Sequence, residues 1–234
     1  MDKERYSRNI VIDGFGEEGQ QLLSAAKVLV IGAGGLGSSV LYYLAAAGIG
    51  TLGIVDYDVV DLSNLQRQIL HTTNDVGRLK ALSAEEKLRA LNPDIAIQTY
   101  MVRFEKDNAL ALIAPYDLIV DCSDSYETKY LINDCCVEAQ KPYVHGAVIG
   151  LKGEVMTYLP GCADYRSVFP APPPSDGKAS NKSIGTLGAV AGIVGSIQAT
   201  EVVKYFTGIG TLITNRLLVI DAKDMSTHSL KIAR

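Results

Sequence analysis

The stretch Lys27-Val28-Leu29-Val30-Ile31-Gly32-Ala33-Gly34-Gly35-Leu36-Gly37 decides the fold. Its first half is a continuous apolar run, as a strand buried on both faces requires. Its second half fits G-x-G-x-x-G through Gly32, Gly34 and Gly37, with Gly35 an extra glycine between them. A helix is predicted directly behind it over residues 38–47, with Val40, Leu44 and Ala47 at helical spacing and Gly48 as its stop. Glycines let a chain turn sharply and approach phosphates closely, and a helix N-terminus offers unpaired N–H groups and partial positive charge. A second strand is predicted over residues 51–56. Asp56 closes it, 19 residues past Gly37, where a carboxylate can hold ribose hydroxyls. Loop and acid together point to a nucleotide without separating NAD from ATP; the plainer reading is a tight turn.

Outward from this unit, short apolar runs keep alternating with helical stretches. A helix is predicted over residues 78–91, ended by Asn92-Pro93. A third strand is predicted over 94–101, a fourth over 118–122, a helix over 125–140 and a fifth strand over 143–146. The alternation predicts an α/β fold: a Rossmann-like, mostly parallel sheet flanked by helices. After Gly150 the character changes. Strands over 154–159, 216–221 and 229–232 are expected as C-terminal antiparallel strands. Residues 160–183 hold five of the eight prolines and no periodicity, which makes a long crossover loop. We expect a single domain over residues 1–234, with a nucleotide-binding part at about 27–150 and a C-terminal helix and strands at 184–234.

Composition narrows the function classes. The chain has 234 residues, 47% hydrophobic and 21% charged, which excludes disordered, collagen-like and coiled-coil chains. Its net charge of −4 and the lack of a basic stripe argue against nucleic acid and against an anionic membrane surface. Four cysteines, with no C-x-x-C pair, make neither a disulfide framework nor a zinc ribbon. Residues 1–10 are charged and have no apolar signal core, so a cytoplasmic setting is expected. Residues 183–200 hold one lysine-free, acid-free run with Gly185, Gly188, Gly192 and Gly195. A buried helix with small-residue faces fits it better than a membrane span, with Glu201 and Lys204 carrying the helix on into solvent.

Charge beyond Asp56 separates the two nucleotides. Asp58 follows at once, and Arg67 and Lys80 come after it. A nicotinamide cofactor has only a bridging pyrophosphate, whereas a triphosphate losing pyrophosphate builds charge that such cations offset. Taken singly, each cation also reads as an ordinary solvated side chain. Asp124, at the carboxyl end of the fourth strand, could hold Mg²⁺ against phosphate. The competing role is that Asp124 or Ser123 caps the next helix. Asp121 reads as structural.

Arg5-Tyr6-Ser7-Arg8-Asn9-Ile10, the glycine loop, Asp56-x-Asp58, Leu62-Ser63-Asn64-Leu65-Gln66-Arg67-Gln68, Gly77-x-x-Lys80 and Asp121-Cys122-Ser123-Asp124 occur in this order. In this the chain resembles the ThiF/MoeB/HesA family of ubiquitin-activating-enzyme-like adenylyltransferases, over residue 5 to about residue 222. The resemblance implies ATP and Mg²⁺ as cofactors. It implies adenylation of the C-terminal Gly-Gly carboxylate of a small ubiquitin-like sulfur-carrier protein, with release of pyrophosphate. It places Gly35 against the phosphates, Asp56 on the ribose, and Asn64, Arg67 and Lys80 on the triphosphate, with Ser63 and Gln68 near them. Gly32, Gly34, Gly37 and Asp58 complete the nucleotide site, as does Ser125, which stands where many relatives have Asn. Asp124 would organise magnesium. Arg8 would enter the partner subunit's site in a homodimer.

Two departures from that family bear on mechanism. The first cysteine of the family's zinc pairs survives as Cys162, but its partner region reads Ala163-Asp164-Tyr165-Arg166-Ser167, so no structural zinc is expected. The crossover stretch Ala179-Ser180-Asn181-Lys182-Ser183 has no cysteine, so activation would stop at the adenylate. The alternatives are a non-catalytic carrier-binding or partner subunit of the same fold, and an NAD-dependent dehydrogenase, in which Arg67, Lys80 and Asp124 would have no task.

Overall fold

A computed structural model describes residues 3–172 and 184–232. The chain opens with α1 (Ser7–Ile10) and α2 (Gly16–Ala25), then β1 (Lys27–Ile31), α3 (Gly35–Ala47) and β2 (Thr51–Val55). Next come α4 (Lys80–Leu91), β3 (Ala96–Tyr100), α5 (Ala109–Ile113), β4 (Leu118–Asp121), α6 (Tyr126–Glu138) and β5 (Tyr143–Ile149). The remainder holds β6 (Lys152–Tyr158), α7 (Tyr165–Val168), α8 (Gly188–Thr207), β7 (Arg216–Asp221) and β8 (Ser226–Lys231). The eight strands form one sheet in the order β3-β2-β1-β4-β5-β6-β7-β8. The first five are parallel and the last three antiparallel, as the sequence predicts.

Helices cover both faces, so the central strands are mostly apolar, with Asp121 buried at the carboxyl end of β4 and His145 buried beside it on β5. Val28 and Val30 of β1 join Leu44, Val194 and Val202 in one core, while Leu29 and Ile31 join Ile119, Ile132 and Tyr143 in the other. After β1 the chain winds outward to β2 and β3, then returns to place β4 on the other side of β1. That reversal opens a crevice at the carboxyl ends of β1 and β4, where ligands of such sheets bind.

Several boundaries differ from expectation for local reasons. Helix α4 starts at Lys80 because Leu79 is extended and bridges Val59. Strand β5 runs on to Ile149 because it turns through Gly150-Leu151 into β6, pairing Ile149 with Lys152. The loop expected over 160–183 is ordered in its first part: Asp164 caps α7, and the Tyr165 ring packs on Tyr130 and Phe169. Residues 173–183, with the stretch around Asn181, lie outside the described residues.

The small-residue segment is a buried helix, α8, lying along α3. A Cβ on Gly195 would come within 2.7 Å of the Leu36 carbonyl oxygen, and one on Gly188 would collide with the carbonyl of Gln66. No helix among the described residues is long and apolar enough to cross a membrane. Glu201 does not reach solvent as expected. It is 1% exposed, accepts from Thr157 Oγ1 at 2.6 Å and from the Ile213 N–H at 2.7 Å, and pairs with Lys204. A buried carboxylate with three donors ties α8 to β6 and to the segment before β7.

Candidate active site

The crevice is built from strand ends. Gly32 leaves β1 at φ +101°, a conformation suited to glycine, and a Cβ there would lie 2.7 Å from the Cys122 carbonyl oxygen. The loop after β1 thus lies directly against the turn after β4. Helix α3 begins at Gly35 with Gly34 as its N-cap, and no side chain caps it. Its first-turn N–H groups, at Gly35, Leu36 and Gly37, have no intrahelical acceptors and could receive an anion. The expected helix over 38–47 therefore starts three residues earlier, inside the glycine motif.

Asp56 is 9% exposed. Its Oδ2 accepts from the Ala33 N–H at 2.8 Å and its Oδ1 from the Asp58 N–H at 2.9 Å. Burial pushes its carboxyl above the ordinary value, while the Ala33 N–H and the nearby Lys80 pull the other way. Each oxygen keeps a second lone pair for a ligand hydroxyl. Lys80 is buried at 6% and its Nζ pairs with Asp58 at 3.0 Å, so it is not a solvated surface lysine.

Arg67 lies alongside the glycine loop: a Cβ on Gly35 would sit 3.6 Å from its Cγ. Its guanidinium donates to the Ser63 carbonyl at 3.2 Å. Ser63 and Asn64 belong to a short 3-10 turn, Leu62–Asn64, in which Asp61 accepts from the Ser63 hydroxyl at 2.6 Å and Asn64 Oδ1 accepts from the Asp61 N–H at 3.2 Å. That last bond uses the Asn64 Oδ1 and leaves its amide NH₂ available as a donor to a ligand. Gln68 is 5% exposed and sits beside Gly34; its Oε1 is a buried acceptor with no hydrogen-bond partner, a vacancy that a hydroxyl donor of a bound molecule would satisfy.

On the other flank, Ser125 caps α6, accepting from the Thr128 N–H at 3.2 Å. Neither Asp124 nor Ser123 has that task. Asp124 is exposed and lines a cleft with Tyr126, Lys129, Glu154 and Tyr165. An exposed carboxylate there could hold Mg²⁺, with phosphate and water completing its shell. Asp121 is structural, as expected. Its Oδ1 accepts from the Ser123 N–H and hydroxyl at 3.0 and 2.6 Å, which fixes the turn presenting Asp124. Its Oδ2 accepts from Lys129 at 3.0 Å and from His145 Nδ1 at 2.8 Å. Burial opposes the charge, but Lys129, His145 and Ser123 hold the carboxyl well below the usual range.

The fold brings together the glycine loop, Asp56, Asp58, Lys80, Arg67, Asn64, Gln68 and, across the β1–β4 crevice, Asp124 and Ser125. It does not bring Arg8 to them. Arg8 is exposed on α1, whose Asn9 is linked through Gln20 to Ala47 at the far end of α3, about 20 Å from the loop at 1.5 Å per residue. Cys162 is half-buried, with its Sγ 3.8 Å from Asn215 Nδ2. No group of three metal-ligating side chains occurs among the described residues. Sequence reasoning passed over Lys129, His145, Glu154 and Tyr165. One of them had a positional signal, because His145 is the register partner of Asp121 on the adjacent strand.

A doubly wound sheet with a glycine loop, an uncapped helix start and a strand-end carboxylate at its switch point defines a Rossmann-type α/β domain. The chain belongs to the ThiF family, matched over residues 6–234. It is similar to the probable adenylyltransferase/sulfurtransferase MoeZ of Mycobacterium tuberculosis, 46% identical over 235 residues, covering 98% of this chain and 60% of that one. It is similar to the sulfur carrier protein adenylyltransferase of Thermus thermophilus, 43% identical over 239 residues, covering 99% of this chain and 88% of that one. The chain thus spans 60% of the length of MoeZ, and most of the Thermus protein. Among solved structures, Escherichia coli MccB with MccA-N7isoASN superimposes with a TM-score of 0.89 at 24% identity, over 98% of this chain and 72% of that one, which shows the fold.

Proposed function

We propose that this chain is an ATP-dependent adenylyltransferase acting on the C-terminal Gly-Gly carboxylate of a small ubiquitin-like sulfur-carrier protein. The observation carrying this reading is the charge layout of the crevice: an uncapped helix start with Lys80 and Arg67 on one flank and exposed Asp124 on the other. The names of the MoeZ and Thermus relatives support it.

Asp56 would accept ribose hydroxyls with its remaining lone pairs. The first-turn N–H groups of α3, with Arg67, Lys80 and the Asn64 amide, would receive the phosphates. A carboxylate needs no base to attack, since it is ionised at neutral pH. What it needs is relief from repulsion as it nears an anionic phosphorus, and the cations supply that by fixed position. Asp124 would hold the magnesium ion, which adds charge neutralisation at the phosphate oxygens when bound. Once pyrophosphate separates, Lys80 and Arg67 would carry the charge on its leaving oxygen.

Arg8, remote from its own crevice, would act in a partner's crevice within a homodimer, and a cytoplasmic setting would suit the chemistry. The test is ATP–pyrophosphate exchange in the presence of a Gly-Gly-ended carrier. Exchange that requires the carrier and Mg²⁺ supports the reading. ATP binding with no exchange for any such carrier would favour the non-catalytic partner subunit instead.

A further inference from the structure

A histidine lies beneath the glycine loop, and the proposed chemistry does not use it. His71 is 4% exposed. Its Nε2 is 2.9 Å from the Ala33 carbonyl oxygen, and its Nδ1 is 2.9 Å from Ser83 Oγ. A carbonyl can only accept, so Nε2 carries the proton and Nδ1 accepts the Ser83 hydroxyl. Lys87 completes the arrangement. Its Nζ donates to Ser83 Oγ at 3.1 Å and pairs with Asp75 at 2.7 Å, which turns the serine hydrogen toward the ring. Burial lowers the pKa of His71, in keeping with a neutral ring.

Ala33 is the second residue of the loop, and it is held from both sides. Its N–H donates to Asp56 at 2.8 Å and its carbonyl accepts from His71. A trans peptide is planar, and its C=O and following N–H point in opposite directions. The bond to His71 therefore turns the Gly34 N–H to the side opposite the buried ring. Freed of that bond, the glycine peptide has little to fix its plane, because glycine accepts most backbone angles.

We propose that His71 is a positioning residue for phosphate: its Nε2–H locks the Ala33–Gly34 peptide so that the Gly34 N–H faces the nucleotide. The inference rests on the nucleotide reading above. Gln68 Nε2 is beside Gly34 as well, and the His71 N–H donates to the Gln68 carbonyl at 3.0 Å, so one turn of chain supplies both contacts behind the loop.

The test uses three variants of the full chain with MgATP as the probe. His71→Gln can place an amide NH₂ where Nε2 stands, His71→Asn places one nearer Nδ1, and His71→Leu has none. Dissociation constants for MgATP, carrier affinity and thermal midpoints are measured for each. The expected result is that His71→Leu and His71→Asn bind MgATP about ten-fold more weakly, at unchanged carrier affinity, while His71→Gln stays within about three-fold of the parent. A folded His71→Leu protein that binds MgATP as the parent does would overturn the proposal. Where His71→Leu does not fold, equal affinities in the Gln and Asn variants would overturn it just as well, because a purely structural role would not distinguish them. A parent chain that does not bind MgATP refutes the nucleotide reading itself, an outcome separate from any difference among the variants.

Discussion

Asp121 and Lys129 form a 3.0 Å ion pair with 2% and 6% of their side chains exposed. Lys129 also donates to the Gly146 carbonyl at 2.8 Å, and Asp121 also holds His145 and the Ser123 turn. Desolvation makes such a pair costly to build and costlier to break, since one partner removed leaves the other charged in a dry environment. Lys129→Met is expected to lower stability by about 3–5 kcal/mol in urea unfolding. Asp121→Asn combined with Lys129→Met should be milder than the sum of the two single changes, and strict additivity would show that the pair is not coupled.

The same carboxylate sets an acid limit. The carboxyl of Asp121 is held below its ordinary value in the folded chain. The unfolded chain therefore takes up that proton first. The stability it contributes is complete above about pH 4 and is lost progressively as the pH falls below that value. Asp121→Asn should flatten the acid limb of a stability–pH profile. An unchanged limb would mean that other carboxylates govern it.

Lys80 and Ser125 separate chemistry from folding. Lys80→Ala should reduce exchange by about 100-fold or more, as loss of one fixed electrostatic donor does. It should cost only about 1 kcal/mol or less from its partner Asp58, which is half exposed and screened. Ser125→Ala should do the reverse, costing about 1 kcal/mol as a lost helix cap while the MgATP dissociation constant holds. If Ser125→Ala weakens MgATP binding more than Asp124→Asn does, the assignment of the two neighbours is inverted.

Arg8 offers a test between subunits. Arg8→Ala and Lys80→Ala should each be inactive alone. Mixed under conditions that exchange subunits, they should regain about a quarter to a half of the parent rate, because one intact composite site forms per mixed dimer. An active Arg8→Ala protein, or no recovery on mixing, would remove Arg8 from the site.

The strand–loop–helix unit and the parallel sheet were legible because their signals are local. A two-faced buried strand is apolar residue by residue, as in β1, and the glycines sit where the backbone needs them. Helix α2 was not legible: two glycines and two glutamines dilute its pattern, and it buries Gly19 and Gln20 alongside Leu23. Glu201 misled for a related reason. A carboxylate after an apolar run signals emergence into solvent, and only the distant Thr157 and Ile213 show why it stays inside. In the crevice, Asp56 and Lys80 could be named from spacing. The Asp58 carboxylate that holds Lys80 could be named too, but not that it does so. Lys129, Glu154 and Tyr165 meet only after β5 folds back on β6, a pairing no motif encodes.

The close approach of α8 constrains how this chain can drift. Gly188 leaves no room beside the segment carrying Arg67, and Gly195 leaves none beside the first turn of α3. Neither glycine carries a side chain that could handle a substrate. A saturation library at both positions should still return glycine almost alone among active clones, so invariance there would report helix proximity and be mistaken, by anyone scanning sequences only, for a catalytic signature.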